Sequence, residues 1–288
     1  MSRKIAVVTD SNSSMSFEEA KDLGIYMIPM PFFIGGKEYL DGIDITQEQF
    51  YERLKGGEDI HTSQPSPDNV MKIWDEALKE YDEVIHIPMS SGLSGSCGSA
   101  YLLAQHYNDK VHVVDNQRIS ITLRQSCIDA LALIDKGMTG RQVKDELERV
   151  KLESSIYIMI DTLHYLKKGG RLTPAAAAIG TLLKIKPVLQ IQGDKLDSFA
   201  KTRTVQGGKE IMINAIKSDM ENRFGCTDKC HNVNLAIAYT DDPSAGQEFL
   251  KEVDAAMPGY DIVARPLSLS ISCHIGPGAI AVGVSKLI

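Results

Sequence analysis

The sequence predicts an α/β protein of two domains, and three observations carry that prediction. Short apolar runs rich in Val and Ile recur: IAVV at 5–8, VIHI at 84–87, VHVV at 111–114 and IYIMI at 156–160. Helical patterns lie between them, and parallel strands require crossovers of that length. After about Ser155 the pattern changes to a hairpin followed by further helices and strands. Residues 1–155 are therefore expected to form a doubly wound, mostly parallel three-layer α/β/α sheet, and residues 156–288 a second α/β domain with a mixed sheet.

Helix starts are written into the chain in order. Ser16 with Glu19, Thr46 with Gln49 and Thr139 with Gln142 have the spacing of a capping box, in which a hydroxyl and a longer side chain satisfy each other's backbone amides. Ser66-Pro67 is another start, since proline at the first helical position forfeits no hydrogen bond. Thr173-Pro174 opens a helix through AAAAIGTLL that Pro187 is expected to close. VLQIQ and LDSFAKTRT, split by Gly193-Asp194-Lys195, read as a hairpin. Helices over 206–223 and 243–256, a strand over 234–239 and the apolar end IAVGVSKLI complete the second domain.

Composition excludes several functions. With 288 residues, 43% hydrophobic and 24% charged, the chain can bury a sizeable core. A net charge of -7 argues against a surface built to neutralise phosphate backbones, so nucleic acid is not an expected partner. The run after Arg3-Lys4 is too short for a secretion signal, and AAAAIGTLL is stopped by Lys184, well short of a membrane span. A cytoplasmic protein without an integral membrane segment is expected. The five cysteines form no dense even framework, so reduced thiols are the default. Cys226-x3-Cys230-His231 has no second close pair to complete a zinc site, and no metal is expected.

Five segments have the makings of a site. SSGLSGS (90–96) sits where a strand hands over to a helix, whose first amides attract an anion. Ser94 either adds a hydroxyl donor there or merely caps its own helix. The segment comes close to the hydrolase elbow G-x-S-x-G but lacks its last glycine, and it lacks the lysine of a P-loop. In HTSQPSP (61–67), two prolines fix the direction of Thr62 and Ser63, as they would in a site or in an ordinary loop. SCHIGPGA places His274 at the mouth of a Gly-Pro-Gly turn, where it is able to join Ser94 and Thr62 in a cluster that receives a carboxylate. No carboxylate partner can be assigned to make His274 the base of a triad with Ser94, the arrangement that acyl-ester hydrolysis would need. LKKGGRL (166–172) and Arg203 supply positive charge that either solvates turns or meets an anionic group. The four alanines and Gly180 leave room beside a helix, for tight packing or for the wall of an apolar tunnel.

Together these segments resemble the DegV family of bacterial fatty-acid-binding proteins. The match runs in order through VTDS (8–11), TSQPSP (62–67), SSGLSGS (90–96), VVD (113–115), LKKGGR (166–171), AAAAIGTLLKIKPVL (175–189), KTR (201–203) and HIGPGA (274–279), nearly the whole chain. The resemblance implies two α/β domains enclosing one long-chain fatty acid, with the second domain forming much of the acyl tunnel. It implies that Thr62, Ser94 and the Gly95 amide bind the carboxylate with His274 close by, and that no cofactor or catalytic residue is required. It further implies a partner fatty acid kinase that phosphorylates the bound acid to acyl phosphate for phospholipid synthesis, with Arg171 and Arg203 contacting that partner or the added phosphate. The sequence departs from the family's usual residues at Ser96, Asn116 and Thr204-Val205, the last leaving fewer positive charges after Arg203.

Overall fold

The computed structural model describes residues 3–177, 185–226 and 230–288. The first half runs β1 (Ile5–Asp10), α1 (Phe17–Asp22), β2 (Ile25–Ile28), β3 (Pro31–Ile34), β4 (Lys37–Leu40), α2 (Gln47–Lys55) and β5 (Ile60–Thr62). It continues α3 (Pro67–Ala77), β6 (Glu83–Ile87), α4 (Ser96–Ala104), β7 (Val111–Val113), α5 (Ser120–Asp135) and α6 (Gly140–Arg149). Strands β2-β1-β6-β7 pair in that order, all parallel. Successive side chains of a strand point to opposite faces, and here both faces are covered. Ala6, Val8 and Val84 pack with Val70, Trp74 and Ala100 of α3 and α4. Ile5, Val7, Ile85 and Ile87 share a core with Leu123, Cys127, Val143 and Leu147 of α5 and α6. This is the expected α/β/α arrangement. The chain leaves β1 toward β2 on one side and reaches β6 on the other, so a crevice opens beyond their carboxyl ends, where open parallel sheets bind ligands.

The second half runs β8 (Ser154–Met159), α7 (His164–Lys168), α8 (Pro174–Ala177), β9 (Lys186–Ile191), β10 (Leu196–Thr202) and α9 (Val205–Asn222). It ends with β11 (Val233–Tyr239), α10 (Pro243–Ala256), β12 (Val263–Pro266), α11 (Leu269–Ile275) and β13 (Ile280–Lys286). Its sheet has the order β10-β9-β8-β13-β11-β12 and is mixed, with only β11 and β12 parallel. One face, with Tyr157, Met159, Ile237 and Val282, packs on α9 and α10. The other, with Ile156, Ile158, Ala238 and Ala281, joins the core that α5 contributes from the first half. That shared face is where a cavity forms.

Several expectations are met at the level of single residues. Thr46 and Thr139 each form both halves of a capping box, and Ser66 accepts from the Asn69 amide. Ser16 forms only its own half, accepting from the Glu19 amide, because the Glu19 carboxylate is taken by Arg124 and Arg265. Strands β9 and β10 form the expected hairpin, with Ile191 opposite Leu196. Other expectations are corrected. Pro187 lies in a strand, as the second residue of β9, paired with Lys201. The described helix after Thr173 covers Pro174–Ala177, and residues 178–184, including Gly180, lie outside the described residues. Cys226 and Cys230 are joined as a disulfide rather than left as thiols, with their Cα atoms 5.5 Å apart, within the span that a disulfide bridges. Cys97, Cys127 and Cys273 are free and buried.

A third sheet, β4-β3-β5, is additional to the expected pattern. Gly35 and Gly36, with φ of 58° and 80°, make the tight turn between β3 and β4. Phe32 and Ile60 of this sheet pack on Phe50 and Tyr51 of α2 and on Leu269 of α11, which fixes β5 beside α11. Among the described residues no helix is long and apolar enough to cross a membrane.

Candidate functional site

Thr62 ends β5, Ser94 and Gly95 lie in the loop from β6 to α4, and His274 is on α11, so three separate elements converge on one point. Thr62 Oγ1 and His274 Nε2 are 2.8 Å apart. Burial, helped by the Arg171 guanidinium, pushes the His274 pKa down to about 4, so its ring is neutral at pH 7. Ser94 Oγ accepts from the Ser96 amide at 3.2 Å in the first turn of α4, which leaves its O–H free to donate outward. Ser94 thus satisfies its own helix start and still presents a donor. Gly95 precedes α4 as its cap, and a side chain there would press on Gln64.

The loop that carries Ser94 is pinned at several points. Its Ser91 hydroxyl donates to Asp115 Oδ2 at 2.6 Å, which gives the aspartate of VVD a structural role. Ser90 Oγ donates to the Asp194 carbonyl at 2.8 Å, and a side chain on Gly92 would collide with that residue. The β9–β10 hairpin of the second half therefore rests directly on the head of the loop. Arg171 closes the other flank, donating from Nε to the Leu93 carbonyl at 3.2 Å and from Nη1 to the Gly169 carbonyl at 2.7 Å.

Thr62, Ser94, Gly95, Arg171 and His274 all line the mouth of a cavity of about 260 Å³. Behind them its wall is largely aliphatic, formed by Met30 and Met89 from the strand tips, Ile119 and Ile121 from the start of α5, and Ile156, Ile158 and Ala281 from the second sheet. Leu267, Ile271 and Ile275 of the α11 segment close it. Ser63 and Gln64 line it beside Thr62, and Asn12, Ser120 and Ser270 reach the wall with their side chains already engaged. Asn12 Oδ1 accepts from Ser270 at 2.5 Å and from Ser268 at 2.6 Å, while Ser120 shares a hydrogen bond with Ser14 at 2.8 Å. An apolar cavity with polar groups gathered at its mouth suits an elongated ligand with one polar end. A shallower cleft outside the mouth shares Leu93, Ser94, Gly95 and Arg171 and adds Lys195 and Thr173.

Two buried carboxylates brace the floor of the site. Asp10 accepts from the amides of Met89 and Asn12, tying the loops after β1 and β6 together, and burial raises its pKa to about 7. Asp41 accepts from Ser11 Oγ and from the Leu269 amide at the start of α11, and burial raises its pKa to about 6. Neither faces the ligand end of the cavity as a catalytic base.

The geometry does not assemble a Ser-His hydrolase. His274 Nε2 faces Thr62 rather than Ser94, and His274 Nδ1 is buried with no partner among the described residues, so nothing orients the ring as a base. Lys168 pairs with Asp59 at 2.8 Å. Arg203 is exposed in the turn between β10 and α9 and lines neither the cavity nor the outer cleft. Sequence reasoning missed Asn12, Ser270 and the hairpin contact of Asp194. Asn12 directly follows VTDS, and Ser270 lies one helical turn before His274, a spacing that puts both on one face of α11.

Comparison with known proteins agrees with this architecture. The model of a family described as "Uncharacterised protein, DegV family" matches residues 4–287. A DegV domain-containing protein of Deinococcus radiodurans is 30% identical over 287 residues, covering 98% of this chain and 99% of that one. A fatty-acid-binding DegV family protein from Thermus thermophilus superposes with a TM-score of 0.90 at 29% identity, covering 99% of this chain and 100% of its own. DegV of Bacillus subtilis, described as a fatty acid binding protein, gives a TM-score of 0.86 at 29% identity, with coverage of 99% and 100%. With a family model spanning nearly every residue and a shared fold over the same length, this chain belongs to the DegV family.

Proposed function

We propose that this protein binds one long-chain fatty acid, with the acyl tail in the cavity and the carboxylate held by Thr62, Ser94 and the Gly95 amide beside His274. The observation that carries this reading is the convergence of those residues at the mouth of a largely aliphatic cavity. The fatty acids bound by the Thermus and Bacillus relatives support it. Burying methylenes at about 0.8 kcal/mol each makes the tail the main source of affinity, while hydrogen bonds at about 0.5–1.5 kcal/mol fix the orientation of the head. Lipid extraction and native mass spectrometry of the purified protein are expected to reveal one bound long-chain fatty acid. A protein that carries none and fails to bind added palmitate or oleate contradicts the reading.

The reading extends to a carrier role in the cytoplasm. The carboxylate end faces an open cleft flanked by Arg171 and Lys195, which gives a partner kinase access to it. Phosphoryl transfer to a carboxylate depends on positioning and on charge stabilisation, so the carrier needs no base of its own, consistent with a neutral, engaged His274. Arg171 stands where it would meet the added phosphate. Arg203, farther out and exposed, would meet the partner instead. Incubation with a fatty acid kinase subunit, ATP and hydroxylamine traps acyl phosphate as a hydroxamate. No hydroxamate above the protein-free control would leave a fatty-acid-binding protein without the carrier role.

A further inference from the structure

Gly169, in the turn after α7, has φ of −79° and ψ of −4°, a conformation open to any L-residue. Backbone geometry therefore gives no reason for a glycine there. The reason lies across the turn, where a Cβ on residue 169 would overlap His274 Nδ1 and come within 2.6 Å of Cε1. The same turn is held in place by Arg171, which donates to the Gly169 carbonyl on one side and to the Leu93 carbonyl of the serine loop on the other. His274 is thus seated between the Gly169 backbone and the Thr62 hydroxyl, with Nδ1 on the glycine side and without a partner among the described residues, and Nε2 at 2.8 Å from Thr62 Oγ1.

We propose that Gly169 is a positioning residue of the head-group site: its missing side chain seats the His274 ring so that Nε2–H donates to Thr62 Oγ1, which turns the Thr62 proton toward the bound carboxylate. A neutral ring has one N–H and one lone pair. With the proton on Nε2, the lone pair of Nδ1 faces the Gly169 Cα. Thr62 Oγ1, accepting from the ring, has its own proton left for the ligand. A ring displaced by a methyl group loses the Thr62 contact, and the hydroxyl is then free to rotate away. The inference rests on the carboxylate-binding reading for its consequence, while the seating of the ring stands on the geometry alone.

The test uses lipid-stripped wild-type protein, Gly169→Ala, His274→Ala and the double variant. In wild type, histidine side-chain ¹⁵N spectra are expected to show His274 protonated at Nε2 only. In Gly169→Ala those signals shift, and unchanged signals overturn the proposal. Palmitate affinity is expected to fall roughly three- to tenfold in Gly169→Ala, the worth of about one hydrogen bond, and by no further factor when Gly169→Ala is added to His274→Ala. Additive losses overturn it, because they mean that residue 169 acts without the ring. Should Gly169→Ala fail to fold, the double variant, which removes the collision, is expected to fold, and a double variant that stays unfolded also overturns it. A wild type that binds no palmitate defeats the fatty-acid reading instead, and the ring signals still decide the role of Gly169.

Discussion

Ser94 serves two partners with one hydroxyl, accepting from the Ser96 amide and offering its proton to the cavity mouth. Ser94→Ala removes both, and the expected loss of fatty-acid affinity is about 0.5–1.5 kcal/mol, the net worth of a hydrogen bond with a modest supplement for a charged acceptor. Blocking the tail path costs far more, since each methylene denied burial forfeits about 0.8 kcal/mol. Ile158→Trp is therefore expected to abolish palmitate binding in a calorimetric titration in which Ser94→Ala still binds. Comparable losses from the two changes would show that the head group dominates. Thr62, Ser94 and His274 were each legible as candidates in their own segments, a proline-flanked loop, a strand-to-helix handover and a Gly-Pro-Gly turn, but the distances between them were not. Thr62 and His274 are 212 positions apart, and no local spacing rule connects residues at that separation. The neutrality of His274 was not legible at all, because it comes from burial.

Elements with local signals were read well, and elements made by distant pairing were not. The hydroxyl and glutamine three apart at Thr46–Gln49 and Thr139–Gln142 are contacts within one turn, so sequence alone suffices to place those helices. Strand β5 is three residues long and gains its pairing from β3, across the intervening β4 and α2, so its pattern is too short to register. Pro187 reads as a helix stop because proline usually is one, yet near the start of β9 its missing amide is tolerated. The loop after β1 carries a pH signature. Asp10 titrates at 3.8 in the unfolded chain and at about 7 when buried, so the folded state holds its proton more tightly. Its contribution to stability accordingly falls as pH rises from about 4 to about 7 and is flat above, and Asp41 acts in the same sense up to about 6. Thermal unfolding of wild type and Asp10→Asn between pH 4.5 and 8 checks this. Wild type is expected to lose stability relative to the variant as pH rises, and a constant difference would contradict the assignment.

At the scale of the molecule, a four-stranded parallel sheet and a six-stranded mixed sheet face each other across α5 and α11, and the cavity fills the space between them. A ligand there touches both halves and binds only the folded chain, so it adds to stability. At a free concentration of 100 times Kd the gain is about 2.7 kcal/mol. Lipid-stripped protein is expected to melt lower than protein as purified and to recover on addition of oleate, whereas an unchanged midpoint would place the ligand outside the core. The most direct measurement is a crystal structure of the protein purified without added lipid. The account predicts elongated density in the cavity, its forked end within hydrogen-bond distance of Thr62 Oγ1 and Ser94 Oγ and its tail running between Ile121 and Ile158. Density elsewhere, or a tail directed outward with the head buried at Asn12, would contradict it.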